Sequence, residues 1–422
     1  METRAVRLRI VADLGQQLLA IHPDYLTRNT ILQKMREEAI ELKDEGKCSV
    51  ALGLLRDGQN EMALDYRDRM RREGVDIPGW VSESFIYILV MRGFLDEALG
   101  VFHEVLDEAR NKSASLPHVL WYYLLDECSR SLHYEGTRFI WEEMVEQQQI
   151  NPSDGTVLNV LNTAARHGDS ALATAAIELL SGRQVKLGLH HYEPLLESYV
   201  QVGDVENAFR VLCIMTDIGF QLGRSSTRSV FQMLKRSPEL ADEAVRVLGD
   251  LSKDHDVPVA AINVLLEALT KTPQSMSRTL EIYHSVRDLC KSGPSPLTFE
   301  VLLDGCTTSE HAVSLISQMD LFSIRPTPAI LDGLIRCFVH DGSLDVAMLY
   351  LDEMSRFPSS SPWASERTLS MVLHRCYRDG DARAFKVLSE AERRGVYIRE
   401  SVLSKLGEMP AAEAPKAEPT EG

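Results

Sequence analysis

The sequence has no long hydrophobic run, no closely spaced cysteines and no glycine-rich phosphate loop, and each lack closes off a class of function. Its longest wholly apolar stretch is Phe85–Met91, far short of the ~20 residues a membrane-spanning helix needs. Seven cysteines (Cys48, Cys128, Cys213, Cys290, Cys306, Cys337 and Cys376) are scattered with no C-x-x-C among them, which argues against zinc ligation and against a disulfide framework. A reducing compartment is the plain reading. Most of them sit among apolar residues, as in Leu212-Cys213-Ile214, where cysteine behaves as a small hydrophobe. No H-x-E with P-C-x-x-C deaminase signature and no metallonuclease cluster of aspartates is found. The expectation is a chain that binds without catalysing, with no cofactor, no metal and no small-molecule substrate.

Positive charge is also scarce. A formal net charge of −17 opposes indiscriminate binding to nucleic acid, although a local basic strip can still exist. Near the N-terminus Arg4, Arg7 and Arg9 stand beside Glu2 and Asp13. Organellar transit peptides avoid such acids, so an import signal is either absent from this chain or atypical.

What is present is a repeat. The segment Tyr192–Gly219 reads as helix, glycine-containing turn, helix and glycine stop. Gly203 supplies a turn conformation that Cβ-bearing residues resist, Asp204 can cap the second helix, and Gly219 ends it. Ala208 is small enough to let the two helices approach. The same frame returns at Gly58, Ala63, Met70 and Gly74, at Gly93, Ala98 and Val105, at Gly168, Ala173 and Leu180, and at Gly342, Ala347 and Met354. Gly58 to Gly93, Gly168 to Gly203 and Ala312 to Ala347 are each steps of 35 residues. The small-residue position runs through 63, 98, 137, 173, 208, 244, 279, 312, 347 and 384, with Thr137 and Thr279 as substitutions. One longer step, 98 to 137, is explained by the polar insert 111–115. Second helices carry an apolar stripe, such as Phe94, Leu95, Ala98, Leu99, Phe102, Val105 and Leu106. One hairpin cannot bury such a stripe, but stacked neighbours can.

The expected fold is therefore all-α, a solenoid of about ten stacked helix-turn-helix repeats forming a superhelix. Residues 1–43 form an N-terminal helical cap, 44–400 the array, and 401–422 a disordered tail rich in Pro, Ala and Glu.

These residues resemble the pentatricopeptide repeat family, whose 35-residue unit ends near Met-x-x-x-Gly-x-x-Pro. That ending is visible from Met319 to Pro326, at Met70 and Gly74 with Pro78 one residue late, and at Met144 with Ile150 and Pro152. The tetratricopeptide repeat is the rival at 34 residues, but its Trp-x-x-Leu-Gly-x-x-Tyr first helix is missing. The resemblance implies an organellar, most of all mitochondrial, protein with plastid as the other option. It implies a chain that binds single-stranded RNA, a transcript or ribosomal RNA, one base per repeat, and supports RNA processing, stability or translation. A protein-interaction scaffold using the concave surface is the alternative, favoured by the acidic balance.

By the same resemblance the base reader is the fifth residue of the unit, with a partner at the unit's last residue. The fifth position falls at Glu83, Tyr122, Leu158, Glu193, Ser229, Asn263, Glu300, Asp332 and Ser370. Ser229, Asn263 and Ser370 fit the family preference, and Asn263 with Ser295 makes the one full pair. The carboxylates do not fit, because they repel phosphate unless they accept from a base amino group. Other features carry plainer expectations. His190 and His191 are neighbours that do not share a helix face, so they read as structural. Trp80, Trp121, Trp141 and Trp363 read as gap fillers, and Glu142-Glu143 and Arg393-Arg394 as solvated faces.

Overall fold

The computed structural model describes residues 2–21, 23–271, 276–357 and 363–407. Among the described residues every regular element is helical. The chain divides into two units, Met1–Thr163 and Ala164–Gly422. In the first, α1 (Glu2–Ala20) and α2 (Tyr25–Glu37) precede three hairpins. These are α3 (Asp44–Arg56) with α4 (Asn60–Arg72), α5 (Gly79–Met91) with α6 (Leu95–Asn111), and α7 (His118–Arg130) with α8 (Tyr134–Ile140), whose end continues as a π-helical turn, Trp141–Val145. The unit boundary falls inside α9 (Asp154–His167), which is followed by α10 (Ser170–Gly182). The second unit goes on with α11 (Leu189–Val202) and α12 (Val205–Asp217), α13 (Arg228–Arg236) and α14 (Pro238–Leu251), and α15 (Val259–Lys271) and α16 (Met276–Val286). Then come α17 (Pro296–Gly305) and α18 (Ser309–Leu321), α19 (Pro328–Asp341) and α20 (Leu344–Met354), α21 (Glu366–Asp379) and α22 (Arg383–Arg393), and the single α23 (Glu400–Gly407).

The helix pairs from α3 to α22 follow the 35-residue frame, and the small-residue position explains why. Ala63, Ala98, Thr137, Ala173, Ala208, Ala244, Thr279, Ala312, Ala347 and Ala384 are each at most 1% exposed. Each sits where a second helix packs closest, so a longer side chain would force the helices apart. The apolar stripe behaves as the periodicity requires: Ala98, Leu99, Phe102 and Leu106 of α6 are buried, while Phe94, at its N-cap, stays exposed.

The turns keep their backbone shape even where glycine is missing. Gly203 and Gly342 end α11 and α19 in the left-handed region, with φ of 78° and 95°. At the equivalent turn of the third hairpin Leu132 takes φ 57°, and where the frame puts a glycine stop after α10 Gln184 takes φ 58°. The fold imposes the conformation, and non-glycine residues bear the strain. Asp204 caps α12 as expected, accepting from Asn207 N at 3.0 Å. The insert at 111–115 lengthens α6 to Asn111 and places Ser113 at φ 53°.

At the N-terminal end, buried Arg28 of α2 pairs at 2.7 Å with Asp57, the C-cap of α3, and so ties the first helices to the first hairpin. At the other end the segment expected to be a tail from 401 begins inside α23, and residues 408–422 lie outside the described residues. All seven cysteines are buried and free.

Candidate functional site

The first helices of the second unit carry the residues expected to read bases, and three consecutive repeats use them in one way. Asn263 Nδ2 donates to Ser295 Oγ at 3.3 Å, and Asn263 Oδ1 accepts from Thr298 Oγ1 at 2.7 Å. Glu300 Oε1 accepts from Thr327 Oγ1 at 2.9 Å. The carboxylate of Asp332 accepts from Ser365 N at 2.7 Å and from Ser365 Oγ at 3.1 Å. Ser295, Thr327 and Ser365 are the N-cap residues of α17, α19 and α21. A fifth-position side chain thus bonds to the cap of the next repeat. The structure brings together Asn263 and Ser295, which the family resemblance pairs, but it engages them with each other and leaves Asn263 5% exposed.

An ion-pair chain lies on the same helices. Lys271 of α15 and Arg336 of α19 both pair with Asp304 of α17, Arg336 at 2.6 Å, and Arg336 Nε lies 3.5 Å from Asp332. Burial pushes the Asp304 carboxyl up, but the hydrogen bonds from Lys271 and Arg336 outweigh it and hold the group below the usual carboxylate range. Opposite charges alternate along this stretch, so its net field is weak.

Ser229 and Ser370 have different surroundings. Ser229 lines an open groove of about 590 Å³ between α11 and α13, with Glu193 and Glu197 on one side and Arg228, Gln232 and Arg236 on the other. Ser370 lines a second groove of about 590 Å³ on α19, α21 and α23, whose wall is Arg367, Arg375, Arg378, Arg399, His340 and His374. Arg375 is paired with Asp379 and Arg399 with Glu366, each at 2.7 Å. Among the described residues no carboxylate lies within ion-pair distance of Arg367 or Arg378, and Ser370 Oγ makes no hydrogen bond. In a chain with a net charge of −17, this is a concentrated patch of positive potential, and the Ser370 hydroxyl beside it is buried and without a partner. Such a groove attracts a polyanion and can hydrogen-bond to it.

Sequence reasoning missed the arginines. Arg367, His374 and Arg378 are spaced i, i+7 and i+11, a spacing that puts them on one helix face with Ser370, and this signal was there to be read. It singled out Ser295 but missed the cap hydroxyls of Thr327 and Ser365, although a Ser or Thr stands before three successive first helices, at 295, 327 and 365.

The remaining expectations divide. His191 Nδ1 accepts from Gly188 N at 3.0 Å, a local structural bond. Trp121, Trp141 and Trp363 are buried, whereas Trp80 is 60% exposed at the start of α5 and fills no gap. Arg394 is not a solvated charge: its guanidinium stacks 5.2 Å from the Trp363 ring, and it pairs with Glu390. In the first unit Tyr122 OH accepts from Asn151 N at 2.8 Å, while Glu83 is half-buried.

The family described as pentatricopeptide repeat-containing protein matches residues 154–286, and the family described as PPR repeat matches residues 48–75 and 332–358. Solved structures similar to this chain include the pentatricopeptide repeat protein PPR10 in complex with an 18-nt psaJ RNA element. That chain is 19% identical, with 96% of this chain and 65% of that one covered and a TM-score of 0.36. They also include PPR10 from maize, 19% identical, with 94% and 59% covered and a TM-score of 0.33. This chain therefore spans less than two thirds of the length of those proteins. No curated protein matches it. With helix pairs in a 35-residue frame, and family matches to pentatricopeptide repeats in three stretches of it, the chain is a pentatricopeptide repeat protein.

Proposed function

We propose that this protein binds single-stranded RNA through the first helices of its second unit and catalyses no reaction of its own. The observation that carries the reading is the groove at Ser370, where Arg367 and Arg378 stand without carboxylate partners, among the described residues, in an otherwise acidic chain. Unpaired guanidiniums release counterions from a phosphate backbone. Membership of the pentatricopeptide repeat family supports the same reading. The biological setting we propose is an organelle, with the mitochondrion first and the plastid second. There the protein would support the maturation, stability or translation of a transcript or ribosomal RNA.

The test is fluorescence anisotropy of a labelled random-sequence single-stranded RNA titrated with the full chain, beside a duplex of the same composition. Binding to the single strand that weakens steeply with salt supports the reading. No binding at low salt overturns it.

One observation favours a second reading, a protein-interaction scaffold. In the first unit α5 and α7 expose Trp80 at 60%, Met91 at 80% and Val119 at 69%. Large apolar side chains on the surface suit a protein ligand better than a polyanion. A stable complex with a protein from the native compartment that survives ribonuclease treatment would establish that reading.

A further inference from the structure

We propose that the second unit engages a single strand at two separated places and that the three repeats between them read no base. The proposal rests on the RNA-binding reading above and concerns how the reading positions are divided.

Reading one base per repeat requires a side chain with a free donor or acceptor aimed at the strand. In the repeats that begin with α15, α17 and α19 this capacity is spent inside the protein. Asn263 is almost fully buried, with its oxygen taken by Thr298 and its nitrogen by Ser295. A base could reach it only by displacing the fully buried Thr298 hydroxyl, which would keep only its contacts to Ser295. Asp332 has both oxygens engaged by the cap of α21. Glu300 keeps Oε2, an acceptor open only to a base amino group, and its charge repels the phosphates that must pass near it. The cations alongside are neutralised, since Lys271 and Arg336 share Asp304 and Arg336 also pairs with Asp332. The stretch offers neither readers nor net positive charge.

On either side a serine and unpaired guanidiniums reappear together, with Glu193 and Glu197 also lining the groove at Ser229. Ser229 has Arg228 and Arg236 beside it, and Ser370 has Arg367 and Arg378. None of the four arginines has a carboxylate partner among the described residues. Each flank thus pairs a serine hydroxyl that is not spent on a partner in the protein, buried in the case of Ser370, with guanidiniums that can hold phosphate. The ligand this fits is a single-stranded RNA with two short preferred segments and a spacer of about three nucleotides, one for each silent repeat.

The experiment is selection of bound RNA from a random-sequence single-stranded pool by the full chain, followed by sequencing. The expected result is two blocks of base preference with about three indifferent positions between them. Preference running unbroken through those positions would overturn the proposal, and so would retention of RNA with no preference anywhere. Failure to retain any RNA would instead overturn the underlying RNA-binding reading. The selection is repeated with Asn263→Ala, for which the selected sequence should be unchanged; a changed preference at any position also overturns the proposal.

Discussion

Arg336 Nη1 lies 2.6 Å from Asp304 Oδ1 in the preceding repeat, and Lys271 approaches the same carboxylate from the repeat before that. One half-buried acid therefore links three successive first helices. Replacing it deprives Lys271 and Arg336 of the carboxylate they share and leaves Asp332, 3.5 Å from Arg336, as the acid beside them.

Asp304→Asn should lower stability by about 2 kcal/mol, the cost of removing hydrogen bonds to a partly buried charge. The sign of its pH dependence follows from the depressed carboxyl. A group whose folded pKa lies below its unfolded value stabilises above the unfolded value, and that stability is lost as pH falls through the folded one. The urea midpoint of the wild type should therefore exceed that of Asp304→Asn at neutral pH, and the gap should close as pH drops below 3.8, the ordinary value for an aspartate. A gap that is constant with pH would mean that the charge is not the cause.

Asn263→Ala removes the 2.7 Å acceptor of the fully buried Thr298 hydroxyl and leaves it only Ser295, whose Oγ lies at 3.3 Å. The expected loss is about 1–3 kcal/mol of stability, read from denaturant unfolding, with RNA affinity unchanged. A stable variant with weakened RNA binding would show that Asn263 faces the strand after all.

How much of this could be read from residues alone differs by level. The frame was legible because its signals are local: Gly203 turns, Asp204 caps, and Ala208 lets helices meet within a single 35-residue unit. The reading surface was only half legible. The family resemblance paired Asn263 with Ser295, yet whether two polar groups address a ligand or each other depends on burial, and burial is set by the next repeat. The acids at Glu300 and Asp332 seemed to be misfits for RNA because their partners, Thr327 and Ser365, lie a whole repeat further along the chain.

Gln184 sits in the left-handed region at φ 58° and is exposed, where the frame elsewhere puts glycine. Gln184→Gly should raise stability by up to about 1 kcal/mol by removing that strain, less what glycine costs in unfolded-chain entropy. A rise in melting temperature checks it, and a fall would show that the Gln184 side chain contributes packing worth more than the strain.

The thiols should be inert in the folded chain. All seven cysteines are buried and so shielded from reagent. Burial also pushes Cys128 and Cys213 up to about 12, whereas the hydrogen bond with the Cys337 thiol lowers Cys306, whose protection rests on burial. Iodoacetamide should modify none of them on the native protein over a period in which all seven react in denaturant. Fast labelling of a native thiol would reveal local opening of its repeat.

Whether the groove at Ser370 holds RNA through unpaired arginines is decided by a salt titration of RNA binding for the wild type and for the double variant Arg367→Ala with Arg378→Ala. Both side chains are exposed and lack carboxylate partners among the described residues, so the fold should survive the double change. Binding should weaken across all RNA sequences, and the slope of log affinity against log salt should fall by about 2, one for each arginine that no longer meets a phosphate. Unchanged affinity and slope in a folded double variant would contradict RNA binding at this groove.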